Sequence, residues 1–286
     1  MNLIRRFLGM IDFKKPAEIE LMRQSAQLVS RTLGLIAEVI KPGITTLELD
    51  RLAETFIRDN GGKPGFLGLY KYPNTLCTSV NEQVVHGIPH DKPLLEGDIV
   101  SVDCGVLMNG YYGDHAYTFA IGDVSEESKR LMRVTYESLL LGIGEVKQFN
   151  KIGDIGYAVQ NHCELNGYGV VRELVGHGLG RKMHEEPQVP NFGRRHRGPL
   201  MKSGIVLAIE PMINMGRPEV YTLKDKWTVV TKDNKPSAHY EHDVAILAGK
   251  AEVLSTFQFV EDALRKKGDF FVSDENYKPQ IPIIYS

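Results

Sequence analysis

The sequence predicts an α+β fold in which one helix–helix–strand unit occurs twice and the strands of both copies meet in a central sheet. Three observations predict it. Two helical patterns open the chain, the same order returns after residue 125, and the strand text after each pair carries an acid at a matching place.

Residues 16–40 read as the first amphipathic helix. Ile19, Met22, Ala26, Val29, Leu33, Ile36 and Ile40 step by three and four, which places them on one face. Pro16 opens this helix and "KPG" at 41–43 closes it. Thr45 with Glu48 has the capping-box spacing for a second helix ending near Asn60-Gly61. Strand text follows from about Cys77, with strands expected at 98–107 and 111–121.

The second half repeats the order. A helix starts near Ser125, "NKIGD" interrupts at 150–154, and another helix ends at Asn166-Gly167. After it, "SGIVLAIEP" echoes "GDIVSVDCG", with Glu210 six positions after Gly204 as Asp103 is after Gly97. The two Asn-Gly helix ends lie 106 apart and the two acids 107 apart, a nearly constant offset. Chance similarity of two strand patterns is the competing reading. The chain is thus read as one catalytic domain, 1–286, with pseudo-repeats near 16–122 and 125–250. A C-terminal tail near 260–286 begins helix-like and then loses periodicity.

Composition sets the outer limits. At 42% hydrophobic and 24% charged residues the 286-residue chain is ordinary globular material. A net charge of −2 gives no argument for DNA or an anionic membrane surface. Three scattered cysteines, Cys77, Cys104 and Cys163, fit reduced thiols better than a disulfide framework. "MNLIRRFLGMIDFKKP" is too broken for a signal peptide, and no window approaches the roughly 18 apolar residues of a spanning helix. A soluble cytoplasmic protein is the expectation.

The chemistry begins at "DCGVLMNGYYGD" (103–114), where Asn109-Gly110 marks a two-residue hairpin turn, since both positions of a type I′ turn need φ > 0. Pairing across that turn sets residue 108 opposite 111 and Asp103 opposite Ala116. Asp103 and Asp114 then share a face as diagonal neighbours, Cβ atoms about 7–8 Å apart. A buried carboxylate needs a partner or a metal; acids held by lysines or arginines elsewhere are the alternative. Glu210 in "GIVLAIEPM" repeats the situation, and Glu241 in "AHYEHDVAIL" stands near the start of a strand. The tract "KDNKPS" suggests that this strand and "WTVVT" (227–231) are antiparallel neighbours. Four clustered acids would repel one another, and divalent cations are their natural counter-charge. His177 lies between glycines that allow close backbone approach, and His184 and His86 stand beside apolar runs. A lone histidine is more often a hydrogen-bonded core residue, but the acids shift that balance, most of all for His177. The glycines at 176, 178 and 180 lack the context of a nucleotide loop. An oxygen-rich set with one imidazole favours Mn²⁺, Fe²⁺, Co²⁺ or Zn²⁺ in a two-metal site, which is hydrolytic equipment.

Taken together, "CTSVNEQVVHGIP", "GDIVSVDCGVLMNGYYGD", "GHGLGRKMHEEPQVP", "LAIEPM" and "AHYEHDVAIL" resemble the type I methionine aminopeptidases, in order and from about residue 12 to about 254. The resemblance implies the pita-bread fold, an internally duplicated α+β structure with a central, mainly antiparallel curved sheet and helices on its outer face. It implies two divalent ions, with Asp103 chelating one, Asp114 and Glu241 bridging both, and His177 and Glu210 holding the other. Glu210 would also be the general base for the bridging water, His184 would polarise the scissile carbonyl, and His86 would contact the leaving nitrogen. The implied reaction removes the initiator methionine from nascent chains with a small second residue. Phe66, Tyr72, Cys77 and Trp227 are the expected liners of an apolar methionine pocket. The implied partner is the N-terminal Met of a nascent polypeptide, acting on a monomeric enzyme without DNA or membrane; ribosome association is left open.

This chain departs from the usual pattern at Met183, where phenylalanine is frequent, at Leu69 in place of tyrosine, and at "HAY" (115–117) after Asp114. Alternation points His115 to the face opposite Asp114, so it is not expected to be a ligand. An Xaa-Pro peptidase of the same fold is the nearest rival. A peptide-binding module without catalysis would require a missing ligand, and none is missing. A Cys77–His86 thiol hydrolase lacks an activating third residue. The basic run "GRRHRG" (193–198) reads as a solvated loop.

Overall fold

The protein is described here by a computed structural model covering residues 11–269. Residues 1–10, over which no signal peptide was read, and 270–286, most of the predicted tail, lie outside it. Among the described residues no helix is long and apolar enough to cross a membrane.

The first half runs α1 (Pro16–Val39), α2 (Thr46–Asp59), β1 (Lys63–Pro64), β2 (Leu76–Val80), β3 (Gln83–Val85), β4 (Ile99–Met108) and β5 (Tyr111–Ala120). The second half opens with α3 (Glu126–Gly144) and α4 (Ile152–Leu165). Its strands are β6 (Gly169–Val170), β7 (Gly176–Gly178), β8 (Glu185–Val189), β9 (Val206–Ile209), β10 (Met212–Asn214), β11 (Val220–Thr222), β12 (Val229–Thr231), β13 (Ser237–His239), β14 (His242–Leu247) and β15 (Lys250–Val253). A last helix, α5 (Gln258–Lys267), takes up the helix-like text at the start of the tail. The helix–helix–strand order therefore occurs twice.

Helix starts follow the capping chemistry. Glu48 N–H donates to Thr45 Oγ1 at 3.1 Å while Thr45 N–H donates to Glu48 Oε2 at 2.8 Å, so two donors that the helix leaves free are satisfied reciprocally. Ser125 accepts from Ser128 N–H at the start of α3. Helix α1 buries the predicted stripe from Ile19 to Ile36 and lies against β4, β5 and α5. Gly113 makes that approach possible, because a Cβ there would stand 2.4 Å from the Ala26 backbone nitrogen.

The hairpin has the expected register. Asn109 and Gly110 take φ of 54° and 80°, Met108 pairs with Tyr111, and Asp103 lies opposite Ala116. The paired strands are antiparallel throughout. Strand β4 pairs with β1, β2 and β5; β15-β14-β9-β7-β8 forms the largest ladder, beside β13-β10-β6 and β11-β12-β3. One pairing differs from expectation: "WTVVT" does not neighbour the "AHYEHDVAIL" strand. Its strand β12 pairs with β11 and β3, whereas β13 pairs with β10. The turn around Asn234, at φ 57°, passes the chain between two ladders instead of closing one hairpin.

The halves meet where Glu241 N–H donates to Ala116 O at 3.0 Å and His239 N–H donates to Thr118 Oγ1 at 2.9 Å. Beneath that junction Tyr117, Tyr240 and Phe257 are fully buried and pack edge to face, with Tyr117 5.0 Å from each of the other two ring centres. Such pairs contribute about 0.5–1.5 kcal/mol each beyond area burial and stiffen the floor of the site above them.

Candidate metal centre

Five side chains converge from both halves. Asp103 comes from β4, Asp114 from β5, His177 from β7, Glu210 from just past β9 and Glu241 from just before β14. Asp114 and Glu241 are buried, and one ligand atom each from Asp114, His177 and Glu241 lies within 4.8 Å of the others. His177 Nε2 is 3.7 Å from Asp114 Oδ2 and 3.5 Å from Glu210 Oε1. Its Nδ1 donates to Gly178 O at 3.0 Å, a contact that assigns the tautomer and leaves the Nε2 lone pair facing the acids. The flanking glycines make this placement possible: a Cβ on Gly176 would meet Ala208 O at 2.4 Å, and one on Gly178 would meet Glu186 O at 2.3 Å.

Electrostatics separate the two explanations of the acids. Among the described residues, the ion-pair partners of Asp114 and Glu210 are imidazoles, and no lysine or arginine pairs with the four carboxylates. Burial, then the Asp114 charge, lifts the carboxyls of Asp103, Glu210 and Glu241 well above the usual range, and burial moves Asp114 up to about 7. Burial, then His184, holds the His177 ring neutral with a pKa down to about 3. Asp103 Oδ1, Asp114 Oδ1 and Glu241 Oε1 are buried and have no hydrogen-bond donor. Buried acceptors without donors, crowded like charges and a neutral imidazole suit a hard or borderline divalent cation. The residues therefore fit a metal.

These groups line a cavity of about 400 Å³, and all eleven residues singled out from the sequence line it. Phe66, Tyr72, Cys77 and Trp227 make an apolar wall, in which Tyr72 and Trp227 meet edge to face at 5.0 Å. The Tyr72 hydroxyl is 2.9 Å from the Leu76 and Gly87 carbonyls, which satisfies its polar tip away from the wall. Leu69, Tyr70, Leu174 and Met212 extend that lining. His184 stacks on Tyr70 at 5.8 Å and stands edge-on to His177 at 4.5 Å. His86 sits at φ 60°, and burial, then His184, takes its pKa down to about 4. Burial pushes the Cys77 thiol well above its ordinary value, so the thiolate a cysteine hydrolase needs is disfavoured. His115 faces away from the cation site and stacks on His242 and Phe257, each at 4.7 Å.

Sequence reasoning passed over His239. This residue is buried, neither ring nitrogen has a hydrogen-bond partner, and Nε2 stands 4.0 Å from Glu210 Oε2. Its position two residues before Glu241 was the available signal. Asn191, also unremarked, donates from Nδ2 to Glu210 O at 2.9 Å and fixes the backbone of that acid.

Comparison with known proteins agrees with this geometry. Residues 20–248 match metallopeptidase family M24. The chain belongs to that family. Within it, a methionine aminopeptidase of Clostridium perfringens is 53% identical over 246 residues, which are 86% of this chain and 99% of that one. The crystal structure of methionine aminopeptidase from Rickettsia prowazekii superposes with a TM-score of 0.85 at 40% identity, covering 86% of this chain and all of that one. An Xaa-Pro dipeptidase from Bacillus anthracis shares the fold, with a TM-score of 0.69 at 22% identity, but the match covers only 62% of its chain. This M24 metallopeptidase is thus an enzyme with the α+β pita-bread fold, and its candidate metal-binding cluster lies where the two halves meet.

Proposed function

We propose that this enzyme removes the N-terminal methionine from nascent proteins whose second residue is small, acting in the cytoplasm as a single catalytic unit built from the two pseudo-repeats. The observation that carries the reading is a single cavity lined both by four acids with His177 and by Phe66, Tyr72, Cys77 and Trp227. Similarity to methionine aminopeptidases, one of them 53% identical, supports it.

Asp103, Asp114, His177, Glu210 and Glu241 would hold two divalent ions, of which Co²⁺, Mn²⁺, Fe²⁺ and Zn²⁺ all suit the donor set. When bound, such ions supply an activated water and polarise the substrate carbonyl. Glu210, raised by burial and neighbouring charge, accepts the proton of the attacking water at a carboxylate oxygen. His184, at the exposed rim, hydrogen-bonds the scissile carbonyl as negative charge develops on its oxygen. His86, kept neutral, meets the leaving amide nitrogen. The aromatic wall holds an unbranched thioether side chain and excludes water from the reacting bond.

The test compares Met-Ala-X with Xaa-Pro-X peptides. Chelator-treated protein is expected to be inactive and to recover cleavage of Met-Ala-X with Mn²⁺ or Co²⁺. Preference for Xaa-Pro-X would move the assignment to the Xaa-Pro peptidases, and full activity after chelation would remove the metal mechanism.

A further inference from the structure

Beside Asp114 and Glu241 lies a second buried polar cluster: His115, His242, Asp243 and Ser255. None of the four lines the cavity. The bonds within the cluster cross between the halves in a reciprocal way. Asp243, two residues after Glu241, accepts from the backbone N–H of Asp114 at Oδ2, 2.8 Å away. His115, one residue after Asp114, places its Nδ1 on the backbone carbonyl of Glu241. A carbonyl only accepts, so this nitrogen is the protonated one. Each carboxylate on one strand is therefore gripped, through its backbone, by a side chain that neighbours the other carboxylate. Glu241 N–H on Ala116 O adds a third bond in the same place.

The clamp is itself fixed from behind. Ser255 Oγ accepts from Asp243 N–H at 3.1 Å and lies 2.7 Å from His242 Nδ1. The His115, His242 and Phe257 rings pack on one another as a triangle, His115 4.7 Å from each of the other two and those two 4.1 Å apart. Asp243 is opposite Ala208 on β9, and Ala208 is in turn opposite His177 on β7, so one cross-strand row ties the clamp to the imidazole of the site.

A neutral acceptor would satisfy the Asp114 amide. The chain instead buries a fifth carboxylate, fully inaccessible, where four already stand. Burying that carboxyl costs desolvation, which the hydrogen bond from the Asp114 amide offsets only in part. That expense makes sense if the spacing of Asp114 and Glu241 matters more than the stability of the empty fold. We infer that Asp243 and His115 are positioning residues that lock Asp114 and Glu241 at the separation needed to share metal ions. This inference rests on the reading of those two acids as metal ligands. Groups that orient ligands from behind typically contribute 10–100-fold in metal affinity.

The test is Mn²⁺ binding by calorimetry on metal-free protein, with circular dichroism and thermal melts of the same samples. Asp243→Ala removes the acceptor, Asp243→Asn keeps an oxygen for the Asp114 amide, and His115→Phe keeps the ring stack while losing the donor. Asp243→Ala and His115→Phe are expected to bind Mn²⁺ 10–100-fold more weakly while remaining folded, and Asp243→Asn to recover most of the loss. If Asp243→Ala does not fold, His115→Phe and Asp243→Asn decide by the same criteria. Wild-type affinity in folded His115→Phe, or an Asp243→Asn as weak as Asp243→Ala, would overturn the clamp. A wild-type protein that binds no Mn²⁺ would instead overturn the metal reading beneath it.

Discussion

Glu210 shows how one side chain is held for the two duties proposed for it. Its backbone carbonyl is fixed by Asn191, one carboxylate oxygen faces His177 and the other faces His239. Replacement by glutamine keeps the size and removes the basic oxygen. Glu210→Gln is expected to lower kcat on Met-Ala-X by roughly 10²–10⁴-fold with an unchanged circular dichroism spectrum. Full activity would exclude Glu210 as the base. Asp103, Asp114, Glu210 and Glu241 were legible in the sequence because each is an acid on or beside an apolar strand, a costly combination. His239 was not, because a single histidine has no periodicity of its own and becomes meaningful only when the fold brings it to Glu210.

Among the elements, the hairpin β4–β5 was the most legible. Its register follows from one local requirement, positive φ at Asn109 and Gly110. The partner of β12 was not legible, because its pairing to β3 joins residues far apart in the chain, and no local turn signal reports that. Helix α1 carries a prediction of its own. Glu18 Oε2 accepts from Lys15 N–H at 2.9 Å, and its Oε1 accepts from the Tyr111 hydroxyl at 2.6 Å and lies 3.4 Å from Arg181. These contacts bring its pKa down to about 2. A carboxyl depressed in the folded state stabilises it fully above its unfolded value of 4.5, and that stability is lost as pH falls towards 2. Urea unfolding of Glu18→Gln should accordingly show a shallower loss of stability between pH 5 and 2. At pH 7 the difference is expected to be of the order of 1 kcal/mol, because the group is partly open to solvent and screened. Parallel pH curves for the two proteins would contradict this.

At the scale of the whole molecule, the duplicated order was legible from a nearly constant offset between matching segments, whereas the division of the strands into separate ladders was not. Offsets report which segments correspond; they carry no information about which edges pair. The candidate ligands come from both halves, so a cation bound there would hold the halves together as well as serve the proposed chemistry. Mn²⁺ at about one hundred times its dissociation constant should stabilise the fold by about 2.7 kcal/mol. For a chain of this size that corresponds to a melting temperature higher by roughly 4–5 °C. A melt indifferent to Mn²⁺, with binding shown separately, would mean that the unfolded chain binds the ion equally well.

The division of ligands between the halves also has a consequence in time. Asp114 is made 127 residues before Glu241. A growing chain therefore carries the first acids through 127 residues of further synthesis before Glu241 exists. On the ligand set proposed above, a copy interrupted before Glu241 would lack one of the acids that complete the site, so metal binding would follow completion of the second half.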